Sequence, residues 1–347
     1  MSHVVNLVTF NEKIEVGPDE TILEIALEEN ISYPYGCASG NCGACKSRLI
    51  LGNVEMRSHS SFALTDDERA RGIILACRAE PRSDCTLAVM NYDDALSHPL
   101  KQLQGEVISV QKLTHDIAAI RLRLSEPLEY TAGQFASVAF PGFPARDYSF
   151  ATPPMDNEIE FHIRRMGDQG VSAFVFDELE VGELVAVHGP KGFAFLREQE
   201  TGPIFAVAGG SGLAPIRAIL TAALNHSKTT QRPINLWFGA RTESDIYLEE
   251  ELKALQSACP SFKADIVLSE ATDDSLRRTG LVTEAIRSDL EKLGTQALDE
   301  ARAYLAGPPK MVEAAQEIFT AAGLDNSRIH ADAFYTEEDK AALDITR

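Results

Sequence analysis

The sequence predicts a multidomain α+β and α/β protein: a small mixed domain, then an antiparallel β-barrel, then a parallel-sheet α/β domain. Three observations lead there. At 347 residues the chain is too long for one ordinary domain. Its pattern changes twice, from mixed strands around one helix, to short strands broken by Gly and Pro, to regular strand–helix alternation. Hydrophobic content is 44%, enough for a sizeable core in each part.

Bulk charge narrows the function. A net charge of −20 argues against nucleic acid and anionic membrane surfaces as partners. No apolar run approaches membrane-spanning length, and Met1-Ser2-His3-Val4-Val5 shows neither a basic nor a long apolar signal region. Six cysteines without a signal peptide point to a reducing compartment, so a cytoplasmic, monomeric protein is expected.

Residues 1–94 form the first domain. Val4 to Phe10 reads as a strand, with Glu12 to Val16 as its hairpin partner. Thr21 to Asn30 carries Ile22, Ile25, Ala26 and Glu29 at helical spacing. Lys46 to Leu51 is a strand, Thr65-Asp66-Asp67-Glu68 a capping box, and Cys77 ends an apolar strand from Ile73. Between helix and strand lie Cys37, Cys42 and Cys45 at C-x4-C-x2-C spacing, with Cys77 as a solitary fourth. This is the spacing of plant-type 2Fe-2S sites. Two irons need four thiolates, and charged sulfides need backbone N–H groups close by. A loop wrapped that tightly excludes bulky side chains, as Gly36, Gly40 and Gly43 allow. Structural zinc is the second reading, although zinc knots more often pair two C-x2-4-C hooks. Cys85 and Cys259 lie outside the pattern and read as ordinary thiols. The segment resembles a plant-type ferredoxin, which implies a β-grasp fold. It is acidic, with fifteen acidic and eight basic residues up to Asp94.

A polar, proline-ended linker is expected over 95–101, and the barrel over 102–200. Its strands include Glu106 to Val110, Ile120 to Leu124 and Phe135 to Ala139. Arg146-Asp147-Tyr148-Ser149 then resembles the R-x-Y-S signature of the ferredoxin–NADP reductase superfamily, which binds flavin. The resemblance implies that Arg146 pairs with a flavin phosphate, Tyr148 stacks on the isoalloxazine, and the Ser149 hydroxyl reaches flavin N5. Phe161-His162-Ile163-Arg164 is similar to the superfamily's next flavin strand, which implicates His162 and Arg164. Ser172 falls where a pyrophosphate-binding hydroxyl is placed, although Gln169-Gly170 is spaced differently from the usual loop. Gly189-Pro190-Lys191-Gly192-Phe193 matches the barrel-closing turn.

Residues 201–335 alternate strands and helices, the mark of βαβ units and a parallel sheet. Gly209-Gly210-Ser211-Gly212 joins the first strand to its helix, where backbone N–H groups and the helix dipole suit a pyrophosphate. With Gly307-Pro308 it resembles the two nicotinamide-nucleotide loops of the same superfamily; Ala306 stands where many members carry cysteine. An aromatic near the C-terminus covers the flavin in that superfamily. Phe334 is the candidate here, with Tyr335 beside it and a core aromatic as the alternative, before a polar tail over 336–347. In the loop Gly239 to Asp245, Arg241 is one cation among the carboxylates of Glu243, Asp245 and Glu249-Glu250-Glu251, which favours NADH over NADPH.

The order of the three modules resembles reductase components of aromatic-ring-hydroxylating (Rieske) dioxygenases, the naphthalene dioxygenase reductase type. The likeness extends to Thr114-His115-Asp116-Ile117, Gly133-Gln134-Phe135 and His330-Ala331-Asp332-Ala333-Phe334-Tyr335. It implies an NADH-dependent reductase holding FAD and a 2Fe-2S cluster. The acceptor would be a Rieske oxygenase or a separate Rieske ferredoxin, met transiently through a basic face. Reductases of di-iron monooxygenases or sugar dehydratases, or a redox sensor without turnover, are the alternatives.

Overall fold

Hydrophobic alternation and capping set the elements. The computed structural model describes residues 2–36, 38–40, 42–60, 63–90, 98–227, 232–272 and 275–336. The chain divides into two compact units, one formed by Met1–Ser97 with Tyr335–Arg347 and one spanning His98–Phe334.

The first unit contains β1 (His3–Leu7), β2 (Glu12–Val16), α1 (Ile22–Glu28), β3 (Lys46–Leu51), β4 (Val54–Met56), α2 (Asp66–Ala70), β5 (Ile73–Leu75), β6 (Ala79–Pro81) and β7 (Cys85–Val89). Its main sheet runs β2-β1-β7-β3-β5, with β1 and β7 parallel and the other pairs antiparallel. One face is covered by α1, which buries Ile22, Leu23, Ile25 and Ala26 against Val5, Leu7 and Leu87. Both helices begin on capping boxes, Thr21 with Glu24 and Thr65 with Glu68. The first strand stops at Leu7, short of the expected Phe10, because Phe10 N turns back to Leu7 O.

The second unit opens with β8 (Lys101–Lys112), β9 (Ile117–Leu124), β10 (Phe135–Ala139), β11 (Arg146–Ser149), β12 (Glu158–Arg164), α3 (Val171–Asp177) and β13 (Leu184–Lys191). The expected linker gives way early: His98 is hydrogen-bonded to Thr131 at 2.9 Å, and β8 starts at Lys101. Six antiparallel strands run β11-β10-β13-β8-β9-β12, and a Phe150–Phe161 bridge joins the outer strands. Along β12, Ile159, Phe161 and Ile163 enter the barrel core. The period of two therefore turns Glu160, His162 and Arg164 outward.

The α/β half follows with β14 (Ile204–Gly209), α4 (Leu213–Ser227), β15 (Ile234–Ala240), α5 (Glu249–Ala258), β16 (Phe262–Leu268), β17 (Arg278–Thr279), α6 (Val282–Leu293), β18 (Arg302–Gly307), α7 (Pro309–Ala321) and β19 (Ile329–Ala333). All its strand pairs are parallel, in the order β17-β16-β15-β14-β18-β19. Helix α6 starts only at Val282, so the stretch after β16 is a loop carrying β17 and not continuous helix. The chain steps from β14 towards β17 and returns on the other side as β18. The order therefore reverses between β14 and β18, where sheets of this kind bind ligands beyond their carboxyl ends. Among the described residues no helix is long and apolar enough to cross a membrane.

Candidate functional site

In the first unit, the cysteine loop closes against β5. Lys46 pairs with Leu75 in register, and Ala76 N donates to Cys45 O at 3.1 Å. This brings Cys45 Sγ and Cys77 Sγ to 3.2 Å, both buried. A Cβ on Gly36 would stand 3.0 Å from Cys42 Sγ, so any side chain there would press on the cysteine. Cys37 lies outside the described residues. A compact, sulfur-only donor set on a glycine-lined turn fits a 2Fe-2S cluster. Cys85 donates to Ser83 O at 3.2 Å and Asn53 O at 3.4 Å, and burial raises its thiol, as befits a structural cysteine.

In the second unit, Arg146 is exposed and its guanidinium donates to Ala145 O at 3.2 Å, a contact that leaves most of its donors for an anion. Tyr148 is half-buried beside Phe140 and Phe161, with ring centroids 6.3 and 6.2 Å away. Burial pushes its phenol up to about 12. Ser149 Oγ donates to Asp332 Oδ2 at 2.7 Å, tying the end of β11 to β19. An open guanidinium, an aromatic ring and a fixed hydroxyl in one strand suit a flavin and its phosphate. Ser172 accepts from Met166 N at 3.0 Å, which leaves its O–H free to donate.

Two residues expected on the flavin are placed differently. His162 has 1% of its side chain exposed, donates Nε2–H to Glu160 at 3.1 Å and meets the Tyr247 ring edge-on at 5.6 Å. The ring is enclosed on the outer side of the barrel, with its Nδ1 lacking a hydrogen-bond partner among the described residues. Arg164 donates to Asp116 at 2.8 Å, and its Nη1 lies 3.3 Å from where a Cβ on Gly210 would stand. Its side chain reaches the nucleotide loop of the α/β half.

The two glycine loops meet where the sheet order reverses. A Cβ on Gly212 would come within 2.1 Å of Ala306 O, and one on Gly307, at φ +138°, within 2.7 Å of Gly209 O. Only glycine permits this contact. Gly210–Gly212 forms a 3-10 turn leading into α4, which presents backbone N–H groups and a positive dipole end. Pro308 N-caps α7. Phe334 N donates to Gly307 O at 2.9 Å, and Phe334 is half-buried and outside the core clusters of this half. Ser149, Asp332, Gly307 and Phe334 thus converge from β11, β18 and β19.

A buried charge cluster locks barrel to α/β half. Arg217 of α4 donates to Glu160 at 2.8 Å and to Glu251 at 2.7 Å, and Arg121 reaches Glu160 at 3.2 Å. Burial pushes Glu160 up, but His162, Arg217 and Arg121 outweigh it and hold the carboxyl at about 2. Tyr247 O–H donates to Gly210 O at 3.2 Å.

Beyond β15, Arg241 pairs with Asp245 at 2.8 Å and Asp116 at 3.7 Å. The expectation of a single cation here needs correction. Arg277, from the loop after β16, donates to both oxygens of Glu243 at 2.9 Å and of Glu249 at 3.1 and 3.0 Å. Sequence reasoning missed Arg277, Asp116, Arg217 and the role of Asp332. Each meets its partner across tens of residues, and no local motif marks the pairing.

Comparison with known proteins agrees with this division. Family models match three stretches: 2Fe-2S iron-sulfur cluster binding domain over residues 7–82, oxidoreductase FAD-binding domain over 104–195, and oxidoreductase NAD-binding domain over 206–317. The chain is 38% identical over 335 residues to the ferredoxin–NAD(P)+ reductase component of naphthalene 1,2-dioxygenase/salicylate 5-hydroxylase systems from a Ralstonia species, covering 96% of this chain and 99% of the relative. It is 36% identical to the reductase component of the naphthalene 1,2-dioxygenase system of Pseudomonas putida, covering 94% and 96%. Among solved structures, the Amycolatopsis cytochrome P450 reductase GcoB superposes with a TM-score of 0.76 at 31% identity, covering 96% and 98%. A 2Fe-2S domain, an FAD domain and an NAD domain in this order, with such relatives along the whole length, show that the chain belongs to the iron–sulfur flavoprotein oxidoreductases that act as reductase components of oxygenase systems.

Proposed function

We propose that the chain takes hydride from NADH in preference to NADPH and serves a Rieske oxygenase or its separate ferredoxin. The observation that carries the hydride site is the 2.7 Å bond from Ser149 to Asp332. It joins the expected flavin strand to the strand beside the Gly307 loop, so donor and acceptor rings share one cleft. Bound flavin accepts electrons in a pair and releases them singly, which connects a two-electron donor to a one-electron cluster. The protein's own groups do the positioning. Arg146 binds a phosphate, Tyr148 offers a ring face, and Asp332 fixes the Ser149 hydroxyl, which can turn its proton to flavin N5. The glycine loops and the start of α4 hold the pyrophosphate of the dinucleotide. Phe334, anchored through its amide to Gly307, would shield a bound flavin on the side of the nucleotide loops.

The nucleotide preference rests on Asp245, Glu243 and Glu249, which surround both arginines of the adenosine side. The Rieske acceptor rests on the full-length likeness to two naphthalene dioxygenase reductases. The acidic first domain suits a transient partner with a basic face, and the protein acts as a cytoplasmic monomer.

The test is anaerobic mixing with NADH, followed at flavin and iron–sulfur wavelengths, then turnover with cytochrome c and with a purified Rieske ferredoxin. Both chromophores should bleach and both acceptors should turn over. Bleaching without turnover would indicate a sensor. The likeness to a cytochrome P450 reductase favours a second reading, a monooxygenase acceptor. Faster transfer to a P450 than to the Rieske ferredoxin would select it.

A further inference from the structure

Arg277 is covered on both sides by acid. Its Nε meets Glu243 and its Nη2 meets Glu249, 34 and 28 residues away in sequence. Glu243 lies in the turn after β15, Glu249 opens α5, and Arg277 closes over them from the loop beyond β16. The guanidinium is a quarter exposed and the two carboxylates are 58% and 27% exposed, so this group stands at the surface, at the carboxyl ends of β15 and β16.

That position bears on the nucleotide. Ser149, Asp332 and Gly307 lie on the β18–β19 side of the reversal in strand order, which is where the reading above puts the nicotinamide. With the pyrophosphate on the Gly209–Gly212 loop, the adenosine must extend over β15 and β16. The cation it meets there has its Nε and Nη2 engaged by carboxylates. A 2′-phosphate would compete with two carboxylates for those donors and would be repelled by both, whereas a 2′-hydroxyl can donate to either carboxylate.

We propose that Arg277 is a masked specificity-determining residue. Glu243 and Glu249 hold it off a 2′-phosphate, and this masking, with no shortage of cations nearby, sets the nucleotide preference. The inference rests on the NADH reading above and adds the residue that enforces it.

The experiment is a mutant cycle in the full, cofactor-loaded protein: E243Q/E249Q, R277M and the triple variant. Equilibrium binding of 2′,5′-ADP and of 5′-AMP is measured by calorimetry, alongside kcat/KM for NADPH and NADH. E243Q/E249Q should bind 2′,5′-ADP roughly tenfold tighter and gain about tenfold in kcat/KM for NADPH, because a charge-assisted contact replaces repulsion, while 5′-AMP, whose 2′-hydroxyl loses two carboxylate acceptors, should bind no tighter. Adding R277M should cancel that gain. A gain that persists in the triple variant, or no gain in E243Q/E249Q, overturns the inference. The unmodified protein tests the earlier reading separately: equal use of both nucleotides would sink the NADH preference, while the coupling between Arg277 and its carboxylates is read from the cycle alone.

Discussion

Three of the four candidate cluster ligands, Cys37, Cys42 and Cys45, fall within nine residues. The groups framing the hydride cleft are scattered by comparison: Ser149 and Asp332 share a hydrogen bond across 183 residues. The difference bears on how each site fails. A cluster held by four thiolates in a tight loop has no substitute for any one of them, so a single loss is all-or-none. A cleft assembled from many contacts loses function by factors, each set by one interaction.

The largest effect therefore belongs to the loop. Cys42→Ser should abolish reduction of cytochrome c while NADH still bleaches the flavin at the parent rate, because the two sites belong to separate units. Cytochrome c reduction at the parent rate in stopped flow would show that electrons leave by another route. In the cleft, Arg146→Ala removes the cation expected on the flavin phosphate. A charge-assisted contact of roughly 1.5–3 kcal/mol predicts about ten- to hundredfold weaker flavin retention. Flavin remaining after dilution and filtration measures it, and unchanged occupancy would remove Arg146 from the site. Asp332→Ala should act more narrowly. It frees the Ser149 hydroxyl without touching Arg146, so flavin occupancy holds while the rate of flavin reduction by NADH falls about tenfold, the equivalent of roughly 1.4 kcal/mol. A fall in occupancy instead would make Asp332 part of flavin binding.

The same contrast explains what was legible in the sequence. C-x4-C-x2-C is a pattern of neighbours, as are the glycine loop before α4 and the capping box at Thr65, and the last two lie where the pattern put them. Hydrophobic periods of two and 3.6 located most strands and helices because burial on one face enforces them. The surroundings of His162 were not legible, because alternation along β12 gives the face a side chain takes and not what lies opposite. Glu160 precedes it on the same strand, but Tyr247 and Arg217 come from two other segments. Arg277 was missed for the same reason. It sits in the loop after β16, and its partners belong to the turn after β15 and to the start of α5. Ion pairs leave no periodic trace in sequence, so the adenosine side of the cleft became readable only in three dimensions.

The smallest effect on turnover should come from Glu160, and it separates packing from chemistry within the cleft. Its carboxyl is buried beside His162 and Arg217, is reached by the exposed Arg121, and is held at about 2, below its ordinary value. A carboxyl with a depressed folded-state pKa stabilises the fold above its unfolded value of about 4.3. That contribution is lost as pH falls from there towards 2. Glu160→Gln keeps the shape and removes the charge. At pH 7 it should lower the Tm of the second unit by a few degrees, at roughly 2–4 °C per kcal/mol for a unit of this size. Flavin reduction by NADH should stay near the parent rate, because Glu160 contacts neither Ser149 nor the glycine loops among its hydrogen bonds. Melting curves between pH 7 and 3 supply the decisive comparison. The gap between parent and variant should be constant down to about pH 5 and narrow progressively below about 4.3, since the unfolded parent then takes up a proton that the folded parent, titrating near 2, does not. A gap as wide at pH 3 as at pH 7 would mean that shape, and not the ion pair with Arg217, holds the barrel to the α/β half.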